Sequence, residues 1–255
     1  MTWALITGAT AGIGRAFVDH LAGQGHDIVL VARDAARLRE VADQTFARFA
    51  VRTEVLVADL SDREAVDAVA RRLASETEPV EVLVNNAGYT PNQEFVTGDP
   101  GREQAALDVM VRAVMILSQA AAAAMVARGA GLIINVSSVA GWLPGSTYAA
   151  AKGWVRLFTE GLALELSETD VSAMALCPGY TRTEFHDRAG MDMRALPSFA
   201  WMDADAVVAA ALRDARRGRV VSVPGTLNRT GRVVLALLPA SAKRRIALRR
   251  PGSAR

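Results

Sequence analysis

The chain has 255 residues, of which 51% are hydrophobic and 22% charged, with a formal net charge of +2. That balance excludes intrinsic disorder and fibrous or collagen-like architectures, and the length is enough to bury a substantial core. A lone cysteine, Cys177, excludes an internal disulfide framework and a cysteine-rich zinc site, so no metal centre is expected and a reducing, cytoplasmic setting is predicted.

Residues 1–8 carry neither a basic n-region nor a small-residue cleavage site, which predicts no secretory signal. Apolar, β-branched runs at Trp3–Thr7, Asp27–Ala32, Glu54–Ala58, Val80–Asn85, Leu132–Ser137, Val171–Cys177 and Val220–Val223 predict seven strands. Most are apolar nearly throughout, as parallel strands buried on both faces must be. Between them, helical patterns predict helices that include Ile13–Ala22, Ala35–Ala50, Glu64–Glu76 and Glu103–Ala127, the third opening on a capping-box spacing at Ser61–Glu64. Strand–helix alternation of this kind predicts an α/β fold, a doubly wound seven-stranded parallel sheet with helices on both faces. With no linker or repeat, residues 1–255 are expected to form a single domain, a core over 2–223 and a basic tail over 224–255. The uncharged stretch 129–151 is too rich in glycine and hydroxyl residues to span a bilayer, and Val233–Leu238 is too short.

The turn after the first strand reads Thr7-Gly-Ala-Thr-Ala-Gly-Ile-Gly14. Gly8 permits a tight turn, Gly12 lets backbone approach a pyrophosphate, and Gly14 lets helix pack on strand, with the N–H groups of the helix start facing the anion. Such a Rossmann-type turn makes Gly8, Thr10, Gly12, Ile13 and Gly14 candidate cofactor-binding positions. Three residues, not one, separate the first two glycines.

That spacing resembles the short-chain dehydrogenase/reductase family, and further stretches fall into the family's order over residues 2–223. Asn85-Asn86-Ala87-Gly88 resembles the motif that steadies the central sheet and walls the adenine side. Ser138 and Tyr148-Ala-Ala-Ala-Lys152 resemble its catalytic serine and Tyr-x-x-x-Lys. Pro178, Gly179, Thr181 and Thr183 resemble the loop that contacts the nicotinamide, and Asp59 with Leu60 the residues beside the adenine. The resemblance implies a nicotinamide-dependent oxidoreductase that interconverts a carbonyl and an alcohol and assembles as a homodimer or homotetramer. One position departs from the pattern: Met110 stands where the family has an asparagine that holds a proton-relay water, and a thioether is only a weak acceptor. A shorter loop between Ser138 and Tyr148 is a second departure.

The residue types suit that chemistry. A free tyrosine titrates near 10, and lowering it by about 3 units requires roughly 4 kcal/mol of preferential phenolate stabilisation. A lysine at i+4 lies on the same helical face and supplies the charge. Lys152 is one of only two lysines, against 27 arginines, and only an ammonium can also release a proton to a relay. Ser138 donates to the substrate oxygen in this reading; its neighbour Ser137 is the competing position.

At the tip of the second strand, where a carboxylate would select an unphosphorylated ribose, stands Arg33. A guanidinium there suits a 2′-phosphate, so NADP(H) is expected ahead of NAD(H), with Arg15 as a second cation. The apolar, Met-rich segment from Thr183 to Met202, together with Trp142 and Leu143, fits either a pocket for a small apolar, lipid-like or steroid-like substrate or a lid or subunit-contact helix. His186 fits substrate contact or a loop position, while His20, His26 and Cys177 need no chemical role. A cofactor-binding scaffold with little turnover is the alternative, and Met110 is the feature that favours it.

The net charge divides unevenly, about −9 over residues 1–214 and +11 over the last 41, with no acidic residue after Asp214. No nucleic-acid partner is expected. The first reading of this tail is a solvated, partly frayed terminus that offsets the acidic body. The apolar run Val233–Leu238, with Lys243–Arg245 and Arg249–Arg250, also fits docking on a partner subunit or peripheral contact with an anionic membrane.

Overall fold

The computed structural model describes residues 2–191, 193 and 196–248. Its first half repeats a strand–helix unit: β1 (Trp3–Thr7), α1 (Gly12–Ala22), β2 (Asp27–Ala32), α2 (Ala35–Phe49), β3 (Thr53–Val57), α3 (Arg63–Leu73) and β4 (Val80–Asn85). A long helical run follows as α4 (Pro100–Leu107), a π-helical turn at Asp108–Arg112, and α5 (Ala113–Arg128). Then come β5 (Gly131–Val136), a 3-10 turn at Val139–Trp142, α6 (Thr147–Glu165) and β6 (Val171–Leu176). The C-terminal part holds two short strands, β7 (Thr181–Arg182) and β8 (Met202–Asp203), with α7 (Phe185–Arg188) between them, then α8 (Ala204–Ala215), β9 (Val221–Ser222), α9 (Thr226–Leu237) and α10 (Ala240–Leu248).

Seven strands form one sheet in the order β3-β2-β1-β4-β5-β6-β9, all paired in parallel. The fold expectation is met, and the strands fall within a residue or two of their predicted bounds. Burial explains why they were legible: all five residues of β1 are enclosed, and Leu5, Leu30, Leu83 and Ile134 are shielded completely. One core layer packs α1, α2 and α8 on one face of the sheet; the second packs α3, α5 and α6 on the other. Truncating a side chain such as Leu5 to alanine costs about 2–5 kcal/mol at such a site.

Two helix starts differ from expectation. Asp62, not Ser61, caps α3 by accepting from the Glu64 N–H at 2.8 Å, because Ser61 is held by Asp59, which accepts from its N–H at 2.9 Å and its hydroxyl at 2.8 Å. The long run begins at Pro100, with Asp99 as its cap accepting from the Gly101 N–H, an arrangement that Asp99-Pro100 encodes. Pro100–Arg128 is long and apolar enough to cross a membrane. Its inward stripe of Val109, Ala113, Leu117, Ala121 and Met125 packs into the second core layer.

Strand order reverses between β1, which pairs with β2, and β4, which pairs with β1 from the other side. A crevice opens at the carboxyl ends of the strands at such a switch point. A buried polar chain fastens the sheet beside it. Asn85 Nδ2 donates to Asn135 Oδ1 at 2.9 Å and Ser118 Oγ at 3.1 Å, and Asn135 Nδ2 donates to Thr159 Oγ1 at 3.0 Å.

Candidate active site

The turn between β1 and α1 forms the floor of one end of a cleft of about 1860 Å³. Gly8 and Gly12 take φ of +67° and +53°, backbone that disfavours any side chain. A Cβ on Gly12 would also meet the Thr183 side chain at 2.8 Å. Gly14 does not reach the cleft wall: it sits under the turn, where a Cβ would collide with the Gly8 carbonyl oxygen and the Asn86 amide. This close approach is the packing of helix on strand expected of Gly14 from the sequence. Thr7 Oγ1 accepts the N–H groups of Asn86 and Ala87 at 2.9 and 3.0 Å, and Asn86 Nδ2 donates to the Thr7 carbonyl at 3.0 Å. These bonds lock the glycine turn to the β4 tip.

Every other predicted site residue lines the cleft. Thr10 and Ile13 flank the glycines; Arg33, Asp59 and Leu60 stand at the far end; Asn86, Ala87 and Gly88 form one side. Pro178, Gly179, Thr181 and Thr183 form the opposite loop, and Ser138, Tyr148 and Lys152 lie between. This end-to-end placement gives a dinucleotide both a backbone cradle and a row of polar walls.

Asp59 sits 3.9 Å from Arg33. Its partial burial pushes the carboxyl upward, yet the two Ser61 hydrogen bonds and the Arg33 charge together hold it below the usual range. Arg15 does not line the cleft, because it pairs with Asp19 one helical turn on at 3.2 Å. The second cation there is Arg37, which reaches across to Glu184 with Nη1 and Nη2 at 3.3 and 3.0 Å from the carboxylate oxygens. Arg37, in the first turn of α2, follows Arg33 by four residues, a spacing present in the sequence. Asp34, next to Arg33, is engaged as the cap of α2, accepting from the Ala36 and Arg37 N–H groups.

Lys152 is buried, and Nζ donates to the Val136 carbonyl at 2.7 Å. Loss of hydration lowers its ammonium to about 8. Nζ lies 5.8 Å from the centre of the Tyr148 ring. Ser137 and Ser138 both line the cleft and differ in how their hydroxyls are engaged: the Ser137 hydroxyl donates to the Lys152 carbonyl at 2.6 Å, while Ser138 Oγ accepts the Ala140 N–H at 3.1 Å. Met110 is enclosed within the π-helical turn and packs against Ala106, Ala151, Tyr89 and Tyr148. A Cβ on Gly88 would lie 3.3 Å from both Lys152 Nζ and Met110 Cγ, so thioether and ammonium flank the same glycine.

Sequence reasoning missed the lips of the cleft. The loop before α4 contributes Gln93, Phe95 and Val96; Asn92 Nδ2 hydrogen-bonds the Ala189 carbonyl across the mouth. Buried Glu103 accepts from Gln93 Nε2 at 2.9 Å and from the Thr147 hydroxyl, tying that loop to the first residue of α6. Of the apolar segment 183–202, Phe185 and Met191 line the cleft, whereas Met193, Leu196, Phe199, Trp201 and Met202 do not. Nor do Trp142 and Leu143: Leu143 is buried, and Trp142 packs near Cys177 with Arg156 over its ring. The β7–β8 pairing closes this excursion at its base, a feature no pattern in the sequence marked. His186 lines the cleft; its ring lies 5.4 Å from Phe185 and 5.0 Å from Trp201, and burial lowers its pKa. His20 and His26 lie away from it, and burial pushes the Cys177 thiol up to about 12. Among the described residues no cluster suits a metal ion.

Residues 2–194 match the short chain dehydrogenase family. Galactitol 2-dehydrogenase (L-tagatose-forming) of Cereibacter sphaeroides is 36% identical over 207 residues, 78% of each chain. A short-chain dehydrogenase from Sphingobium yanoikuyae, solved in complex with NADPH, superposes with a TM-score of 0.84 at 34% identity over 94% of this chain and 96% of that one. The bulky-bulky ketone specific alcohol dehydrogenase of Comamonas testosteroni gives 0.80 at 29% identity over 94% and 95%. Sheet, glycine turn and matched sequence agree, and the chain belongs to the short-chain dehydrogenase/reductase family of oxidoreductases acting on CH–OH groups.

Proposed function

We propose that this protein is an NADP(H)-dependent oxidoreductase that interconverts a carbonyl and an alcohol on a small, bulky, apolar substrate. The observation that carries this reading is the convergence of Ser138, Tyr148 and Lys152 on the wall of one cleft with the glycine turn. When bound, the nicotinamide supplies or accepts the hydride. Tyr148 delivers a proton to the developing alkoxide, or removes it in the reverse direction, and Ser138 donates a hydrogen bond to the same oxygen. Lys152 holds positive charge one turn along the same helical face, which favours the phenolate. Residues at both ends fit the dinucleotide. The positive-φ glycines leave room for a pyrophosphate beside the start of α1, and Arg33 and Arg37 supply charge for a 2′-phosphate. The NADPH bound by the Sphingobium relative supports that cofactor over NADH.

For the substrate, Phe95, Val96, Phe185 and Met191 supply apolar wall, and the ketone named for the Comamonas relative is of the matching bulky kind. We read residues 1–255 as one functional unit, with 224–255 an arm on the 2–223 body. It assembles as a homodimer or homotetramer through the outer faces of the long helices, where Leu107, Met115, Leu157 and Leu164 are exposed.

NADPH oxidation over a panel of ketones and aldehydes tests the proposal. Turnover with a bulky ketone is expected, together with a loss of roughly 10²–10⁴-fold in Tyr148→Phe, the range for removing a general acid. Met110 favours a second reading, a cofactor-binding scaffold, because its thioether occupies the place of a hydrogen-bonding side chain. Tight NADPH binding without turnover on any carbonyl would decide for the scaffold.

A further inference from the structure

The basic arm is built as an amphipathic surface. Leu227, Thr230, Val234 and Leu237 recur at i, i+3, i+7 and i+10 along α9, which places them on one face. Leu227 and Val234 are 56% and 51% exposed and Leu237 82%, with Val233 beside them at 53%. The opposite side anchors the helix: Asn228 Nδ2 donates to the Pro224 carbonyl at 2.8 Å and Arg229 Nε to the Val223 carbonyl at 3.2 Å. The apolar stripe is therefore held outward. Five cations, Arg229, Arg232, Lys243, Arg244 and Arg245, accompany it on α9 and α10, and no acidic residue lies anywhere beyond Asp214. Arg249 and Arg250 lie outside the described residues.

We propose that α9 and α10 form a docking surface for an anionic lipid bilayer. Charge complementarity selects the occupant. An arm-to-arm contact about a two-fold axis would set two wholly cationic segments against each other. An anionic bilayer instead offers negative headgroups to the arginines and an apolar layer at the depth the stripe needs. The arm also bears on the cleft, because Arg244 and Ala247 of α10 line it, as do the exposed Phe95 and Val96. Docking through this surface thus brings the cleft mouth to the lipid, where an apolar substrate partitions.

The test is co-sedimentation of the full chain with phosphatidylcholine vesicles and with phosphatidylcholine–phosphatidylglycerol vesicles, at low and high salt. Each basic residue at an anionic surface multiplies partitioning by about fivefold, so at least about tenfold stronger binding to the phosphatidylglycerol vesicles is expected, weakened by salt. The variant V234D/L237D is expected to lose that binding while keeping NADPH affinity, which reports an intact fold; V234M/L237M is expected to retain it. Equal binding to both vesicle types, or none, overturns the proposal. So does an oligomer that V234D/L237D dissociates in the absence of vesicle binding, which would assign the stripe to a second copy of the chain. Neither readout depends on turnover, so failure here is separable from failure of the proposed activity.

Discussion

Replacing Lys152 with methionine sets function against stability at a single side chain. The ammonium is buried and its pKa is lowered from 10.5 to about 8 by desolvation. Between those values the unfolded chain holds a proton that the folded chain has released, so stability rises with pH through that window; below about pH 8 the folded protein carries the whole cost of the buried charge. That cost is about 3 kcal/mol at pH 7. Methionine removes it, and stripping the Val136 carbonyl of its donor returns about 1 kcal/mol. Lys152→Met is therefore expected to be more stable than the parent by about 2 kcal/mol at pH 7, a rise of roughly 4–8 °C in Tm, while turnover collapses. At pH 10 the parent's charge cost has largely disappeared, and the difference is expected to shrink by about 2–3 kcal/mol. Urea unfolding of the cofactor-free protein at both pH values measures this. A variant less stable than the parent at pH 7, or a difference that does not move with pH, would refute the reasoning.

Two further outcomes follow from the cleft and the sheet. Arg33→Ala is expected to lower kcat/KM for NADPH by about 10–100-fold, the worth of a charge-assisted contact, and to leave NADH within about twofold; equal losses for both cofactors would detach Arg33 from the 2′-phosphate. Asn135→Ala removes two buried hydrogen bonds but leaves Asn85 Nδ2 on Ser118 Oγ and the Thr159 hydroxyl on the Val155 carbonyl. The expected cost is therefore about 1–3 kcal/mol, read as a fall of roughly 2–12 °C in Tm by calorimetry.

The strands and the glycine turn were legible because burial on both faces demands continuous apolar runs, and a turn at a strand tip demands glycine. Tyr148 and Lys152 were legible as a pair because i+4 spacing is itself geometry, and Ser138 through its resemblance to the family's serine. What escaped was set by tertiary partners. Arg15 and Arg37 are equal candidates on charge alone; only the packing shows that Asp19 engages the first and that the second reaches across the cleft. Ser61 has the spacing of a cap, yet Asp59 holds its N–H and hydroxyl. The π-helical turn around Met110 has no periodic signature, since a single wider turn leaves the apolar stripe of Pro100–Arg128 on the same face. Glu103, an acid in a helical pattern, reads as a solvated residue until its partners on two other elements are seen.

Three hydrogen bonds bind α6 to the end of β5: Asn135 to Thr159, Ser137 to the Lys152 carbonyl, and Lys152 Nζ to the Val136 carbonyl. The tyrosine and lysine thus ride on a helix that cannot detach from the central strand without breaking buried polar bonds. Amide protons of β5 and of the middle of α6 should accordingly exchange with deuterium only through whole-molecule opening. Tyr148 and Lys152 then have no local melting of their own, and loss of the proposed activity on heating is expected to coincide with loss of the fold.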